Sequence, residues 1–264
     1  MKPACLLLPL ALAFGCASVA PTVPPAVVSE LAPTGKMRVG LIAANPIFVA
    51  PNTPPGETRG LAVDVARDLA ARIGVPMEPL RYATVGALVE SAGRGEWDIA
   101  FLAIDPERAE AMNFTGAYMF SENTFLVPAG SPATGIADLD RPGKTIATLA
   151  RSAQEIWLKK NAKSATLVSA SSPAAAYQML REGKVDAVTS ASSLLAEGAK
   201  QVPGSRVLAT SFFDAPIGMA VAKGRPAAYA YAYQFIEETN GSGSVRDGIG
   251  RYGLVGVRAA PPTR

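Results

Sequence analysis

The 264-residue chain contains no histidine. That removes the usual general base, the commonest metal ligand and any Ser-His-Asp triad. Its only two cysteines, Cys5 and Cys16, sit near the N-terminus. The body of the chain therefore holds no disulfide, no thiolate nucleophile and no cysteine metal site. Charge is sparse as well: 18% of residues are Asp, Glu, Lys or Arg, the formal net charge is +3, and no basic run is present. Nucleic acid is not an expected partner on those grounds. The run "ETNGSGS" lacks the Lys-Ser/Thr of a phosphate loop and reads as a helix stop and turn. No metal or cofactor is expected, although carboxylate chemistry is not excluded. What remains is an ordinary apolar content of 49%, enough for one large domain or two smaller ones.

Lys2 followed by "CLLLPLALAFG" has the charge and length of a signal peptide, and the apolar run is too short to span a membrane. It ends at Gly15-Cys16, which resembles a lipobox, with Ala13 where leucine is usual and a bulky Phe14. Residues 1–15 are expected to be removed and Cys16 lipidated. Plain secretion is the alternative, although cleavage after Ala20 would leave Pro21 first, which signal peptidase generally rejects. Residues 16–36, rich in Pro, Ala and Val without a helical period, read as an extended tether. Residues 256–264 read as a disordered tail.

From Met37 short apolar strands alternate with amphipathic helices. "MRVGLIAA", "MEPLRY", "WDIAFLA" and "NTFLV" are strand candidates, and "GLAVDVARDLAARIG" places Val63, Ala66, Leu69, Ala70 and Ile73 on one helical face. A second block repeats the alternation from "KTIATL" to "VDAVTS", and the break between the blocks is the Gly/Pro/Asp-rich stretch 128–144. "IGMAVAKG" reads as a return strand. The expected class is α/β with mostly parallel strands. Its expected parts are a first lobe at 37–127, a second at 128–221, and a return to the first at 222–255. Two crossovers create a cleft with a hinge, where ligands bind. No internal repeat is evident. One residue stands out: Asp105 and Pro106 open a short helix, and Arg108 lies where a cation opposes the helix dipole.

Four stretches carry a resemblance: "RGLAVDVARDLAARIGV", "GEWDIAFLAIDPERAEAMNFTGAY", "REGKVDAVTS" and "IGMAVAKG". In this order they resemble the extracellular solute-binding proteins of polar-amino-acid ABC transporters, family 3. The resemblance implies a two-lobed periplasmic-binding-protein type II fold with two hinge crossovers and a central ligand cleft. It implies a periplasmic, non-enzymatic monomer that captures a small polar, carboxylate-bearing solute, anionic or zwitterionic, for an inner-membrane ABC permease. Membrane contact would come only through a lipid on Cys16.

By the same resemblance, Arg108 matches the arginine that binds the ligand's α-carboxylate, in a bidentate geometry lysine cannot copy. The other matched positions depart from the family's pattern. Ala191 stands where an aspartate usually takes the ligand's ammonium. Asn45 and Val85 replace aromatics, Ala103 replaces a hydroxyl residue, and Arg151, Ser152 and Ala153 replace a Gly-Thr-Thr loop. An ammonium without an anion is costly to bury. The expectation is a small mono- or dicarboxylate held between the guanidinium groups of Arg108 and Arg151, with the helix N-terminus near Ser152 assisting. Ser190, Ser192 and Thr148 are candidate hydrogen-bonding residues.

Two other functions stay open at this level. One is an accessory protein of a periplasmic redox enzyme system, which would need no amino-acid site. The other is an enzyme using Glu155 as a buried acid with a raised pKa. Asp64, Asp98 and Asp186 read as structural, Trp97 and Trp157 as packing anchors, and Tyr229, Tyr231, Tyr233 and Phe235 as helix packing.

Overall fold

The computed structural model of the chain describes residues 23–262, apart from 52 and 55. The expected signal peptide and lipidation site at Cys16 lie outside the described residues. In the first half, the elements are α1 (Pro25–Leu31), β1 (Met37–Ile42), α2 (Leu61–Arg72), β2 (Met77–Tyr82), α3 (Val85–Ala92), β3 (Ile99–Ala103), α4 (Pro106–Ala109) and β4 (Met112–Val127). There follow α5 (Ile136–Leu139), β5 (Thr145–Leu149), α6 (Ala153–Asn161), β6 (Thr166–Ala170), α7 (Pro173–Arg181), β7 (Ala187–Ala191) and α8 (Ser192–Ala199). The chain ends with β8 (Arg206–Val207), β9 (Phe213–Ala222), α9 (Pro226–Ser242), α10 (Ser244–Arg251) and β10 (Val257–Ala259).

The strands run in the order β2-β1-β3-β9-β4-β7-β5-β6, with β8 and β10 also on β4. β2, β1 and β3 are parallel, as are β6, β5 and β7. Between these triplets β9 and β4 run antiparallel to each other, to β3 and to β7. One core surrounds the first triplet, α2 and α9; two smaller ones pack on β4 to β7. The two lobes therefore share the β4–β9 pair. Both crossovers lie inside these long strands. The first lobe thus does not end at residue 127, nor does its return begin at 222: Ile217, Met219 and Val221 already pack in the first-lobe core. Thr115 to Ala117 interrupt the apolar pattern of β4 with bulges, which hid the first half of that strand.

Two matching devices start the triplets. Asp98, fully buried, accepts from the Arg38 backbone N–H at 2.8 Å and from Arg38 Nε and Nη2 at 3.0 and 2.8 Å. Arg225 adds a contact of 2.6 Å from the base of α9. In the second lobe Asp186 accepts from Thr145 N at 2.9 Å and from Lys144 Nζ at 2.7 Å. Both aspartates follow a Gly-x-x-Asp turn, "GEWD" and "GKVD", so the lobes repeat a structural unit that the sequence barely shows. Asp64 joins Arg67, Arg251 and Tyr252. Trp97 is buried with its indole N–H on Ser91 Oγ at 2.9 Å. Gly60, at φ 148°, precedes α2 where any Cβ would strike the Phe48 carbonyl at 2.3 Å.

Two expectations at the ends are corrected. Residues 25–31 are helix, not extended tether: Pro25 occupies N1, and Val27 and Leu31 are buried in the first-lobe core. Glu30 Oε2 also accepts the Ala228 N–H at 2.8 Å, capping α9. At the other end, residues 257–259 of the expected tail form β10, because the edge of β4 from Met119 to Ser121 accepts a third strand there.

Asp98→Ala strands two largely buried arginines, and the expected loss of stability is about 3–5 kcal/mol, read from urea unfolding by circular dichroism. A loss below about 1 kcal/mol would show that the buried cluster contributes no more than a surface ion pair.

Candidate functional site

A cavity of about 440 Å³ lies between the lobes. Asn45, Val85, Ala103, Arg108, Arg151, Ser152 and Ala191 all line it. Residues far apart in the chain are therefore gathered on one space, three of them from the second lobe.

Arg108 is placed by a short chain of local causes. β3 delivers the chain to Ala103 at the cleft. Asp105 then caps α4, its Oδ1 accepting the Glu107 N–H at 2.9 Å and the Arg108 N–H at 3.3 Å, with Pro106 at N1. The single turn sends the Arg108 side chain inward, where the residue is 4% exposed. Its Nη1 donates to the Ala103 carbonyl at 2.9 Å and its Nη2 to the Arg151 carbonyl at 2.8 Å. Among the described residues no carboxylate pairs with it. Burial pushes its pKa down, while the nearby charges of Asp105 and Glu107 act in the opposite sense.

Arg151 serves the cleft differently from the expectation. It alone among the described non-glycine residues has a positive φ, 59°. That conformation turns its carbonyl to Arg108, while its guanidinium reaches across the mouth to Glu90 Oε1 on α3 at 2.5 Å. In this arrangement the Arg151 guanidinium is paired with Glu90, and it is the Arg151 carbonyl that meets Arg108. Glu90 escaped the sequence reading. A signal was present: Gly86 and Glu90 are four apart on α3 and share the face that borders the cleft.

Glu155 holds this loop in place. Buried at 3% exposure, it accepts the Arg151 N–H at 2.7 Å and the hydroxyls of Thr148, at 3.2 Å, and Ser169. Ser152 caps α6, its Oγ accepting the Glu155 N–H at 3.1 Å. Burial alone would raise the Glu155 pKa, but bonds from Ser169 and the Arg151 N–H, with Lys159 at 3.4 Å, outweigh it and hold the carboxyl below its ordinary value. A carboxylate held by so many donors serves to fix its loop, not to stand poised as an acid.

Among the hydroxyl candidates, Ser190 lines the cavity, Thr148 is spent on Glu155, and Ser192 donates to the Glu122 carbonyl at 3.2 Å. Two floor residues were missed because they lie on the unrecognised part of β4 or at its margin. Asn123 is anchored at both ends of its amide: Nδ2 donates to the Ser121 and Phe213 carbonyls at 2.8 and 3.1 Å, and Oδ1 accepts from Gln154. Ser121 is 3% exposed and its hydroxyl has no partner among the described residues.

A sequence model of the bacterial extracellular solute-binding proteins, family 3, matches residues 37–253. The glutamine-binding protein of Geobacillus stearothermophilus is 29% identical over 193 residues, 72% of this chain and 73% of that protein. A solved structure of a putative ABC-transporter binding component from Wolinella succinogenes, complexed with lysine, superposes with a TM-score of 0.68 at 26% identity, covering 83% of this chain and 95% of that one. A mutant of ArgBP from T. maritima superposes at 0.71 with 23% identity, over 86% and 98% of the two chains, a likeness of fold. The architecture is thus the type II periplasmic-binding-protein fold.

The depressed pKa of Glu155 has a definite sign in the stability curve. Below about pH 4.3, the ordinary glutamate value, the unfolded chain protonates first, so this contribution is present above that pH and lost as pH falls through the lower folded value. Glu155→Gln is expected to melt below the wild type at neutral pH and to lose less on acidification. Parallel melting curves for the two proteins between neutral pH and about pH 3 would refute this role.

Proposed function

The chain belongs to the bacterial extracellular solute-binding proteins, family 3, which are binders rather than enzymes, and from that premise we propose that it captures a small carboxylate-bearing solute for an ABC transporter. The observation that carries this reading is Arg108: a residue 4% exposed that lines the cavity and has no carboxylate partner among the described residues. Such a charge is costly to bury alone and is relieved by an anion that completes its fork. Relatives named for glutamine or solved with lysine bind ligands that bear a carboxylate, which supports the assignment.

Closure follows from the arrangement of the two half-sites. Arg108 and Asn45 come from the first lobe, Arg151 and Ser152 from the second. The N-terminus of α6 adds the positive end of a helix dipole. A solute touching both sides binds the closed arrangement better than the open one and shifts the population by that difference. The transporter would read the closed form, and a lipid on Cys16 would keep the protein beside it.

Protein stripped of bound solute should gain thermal stability from small carboxylates. At a hundredfold excess over Kd the linkage is about 2.7 kcal/mol, several degrees in Tm for a chain of this size. Arg108→Ala should abolish the shift and Arg108→Lys should not restore it. An unmoved Tm across a broad carboxylate panel, or a shift that survives in Arg108→Ala, would sink the proposal.

A further inference from the structure

We infer that Arg151 and Glu90 form a latch across the mouth of the cleft, an ion pair that holds the lobes together without any contribution from a solute. Glu90 stands on α3 of the first lobe, and Arg151 in the turn after β5 of the second. Arg151 Nη1 meets Glu90 Oε1 at 2.5 Å, and among the described residues each is the other's only ion-pair partner. The stem of Arg151 lies along α3: its Cδ is 3.8 Å from where a Cβ on Gly86 would stand, one helical turn before Glu90. A second link runs beside the first, from Arg108 Nη2 of the first lobe to the Arg151 carbonyl at 2.8 Å. One residue of the second lobe is therefore gripped twice by the first lobe, through its main chain and through its head group.

The backbone at Arg151 points the same way. Its φ of 59° is a conformation that glycine adopts freely and a residue with a Cβ does not. An arginine there has a use for its side chain that offsets the strain. The turn is held from within its own lobe, because Glu155 accepts the Arg151 N–H at 2.7 Å and Ser152 caps the helix that follows. The direction of the side chain is thus set before the lobes meet, and less freedom is lost when it pairs. The two side chains are 63% and 59% exposed, so solvent limits the strength of the pair. An exposed pair of this kind changes the ratio of closed to open molecules by about two- to fivefold. A binder whose competent arrangement is populated more by that factor gains up to the same factor in apparent affinity. A solute leaving through the mouth must also wait for the pair to break.

The test is small-angle X-ray scattering of the chain, stripped of solute by unfolding and refolding, with the closed-to-open ratio read from the radius of gyration. Between low salt and about 1 M, where the screening length shrinks to about 3 Å, the ratio should fall by about two- to fivefold. Glu90→Gln should resemble the high-salt wild type at every ionic strength. Glu90→Arg should open the lobes further by repulsion, and adding Arg151→Glu to it should close them again. Arg151→Gly separates latch from turn: it keeps the carbonyl and relieves the backbone, so the melting temperature should hold while the lobes open. A wild-type radius indifferent to salt, Glu90→Arg as compact as the wild type, or a double reversal that stays open overturns the inference. The wild-type salt series stands even if a variant fails to fold. No solute enters this measurement, so its failure leaves the carboxylate reading of Arg108 standing, and an unmoved Tm across the carboxylate panel leaves the latch standing.

Discussion

The antiparallel ladder between β4 and β9 carries both lobes. It runs from Met112 opposite Ala222 to Asn123 opposite Phe213. The parallel triplet of the first lobe hangs from β9 through β3, and that of the second hangs from β4 through β7. Any motion of one lobe against the other would have to bend or twist this one pair. Its bulges between Phe114 and Met119 are where a ladder most readily yields, because they already break the regular hydrogen-bond repeat. Ser121, Asn123, Ala215 and Ile217 from the same strands form the cavity floor. The cavity floor thus lies on the same strands that join the two lobes.

Around this frame the cleft holds its local conflicts. Arg108 is buried without a carboxylate, and Arg151 adopts a backbone conformation that a residue with a Cβ disfavours. Each conflict is held by a structural neighbour. Asp105 and the Ala103 carbonyl fix the Arg108 turn, while Glu155 and Ser152 lock the loop that bends at Arg151. Two aspartates elsewhere are paired: Asp98 with two arginines, Asp64 with Arg67 and Arg251. A buried cation at a cavity, held by carbonyls but without a carboxylate partner among the described residues, is the feature on which the proposed carboxylate binding rests.

The periodic segments and the Arg108 turn were legible in the sequence because their causes are local. The 3.6-residue spacing of α2, the cap and proline of α4, and the turn residues before β3 and β7 each act within a few positions. The duplicated aspartates were visible as residues but not as a repeat, since the likeness consists of hydrogen bonds to strands tens of residues away. The seven cleft positions emerged from motif resemblance, and the cavity indeed gathers them. What each does there was not legible. Arg151 looked like half of a clamp until its partner, Glu90, came across from the other lobe.

By itself the sequence determined the alternation of strands and helices, the absence of histidine and cysteine chemistry from the folded body, and a lone arginine on a capped turn. These follow from residue type and short-range spacing. Tertiary structure decided that residues 25–31 pack as a helix, that 257–259 join the sheet, and that both crossovers run inside long strands. It also decided that Arg151 is paired with Glu90 and that the Ser121 hydroxyl is buried without a partner among the described residues. The physical reason is the same in each case. Burial, an open strand edge and a charge partner are properties of what arrives from elsewhere in the chain, and no local pattern encodes the arrival.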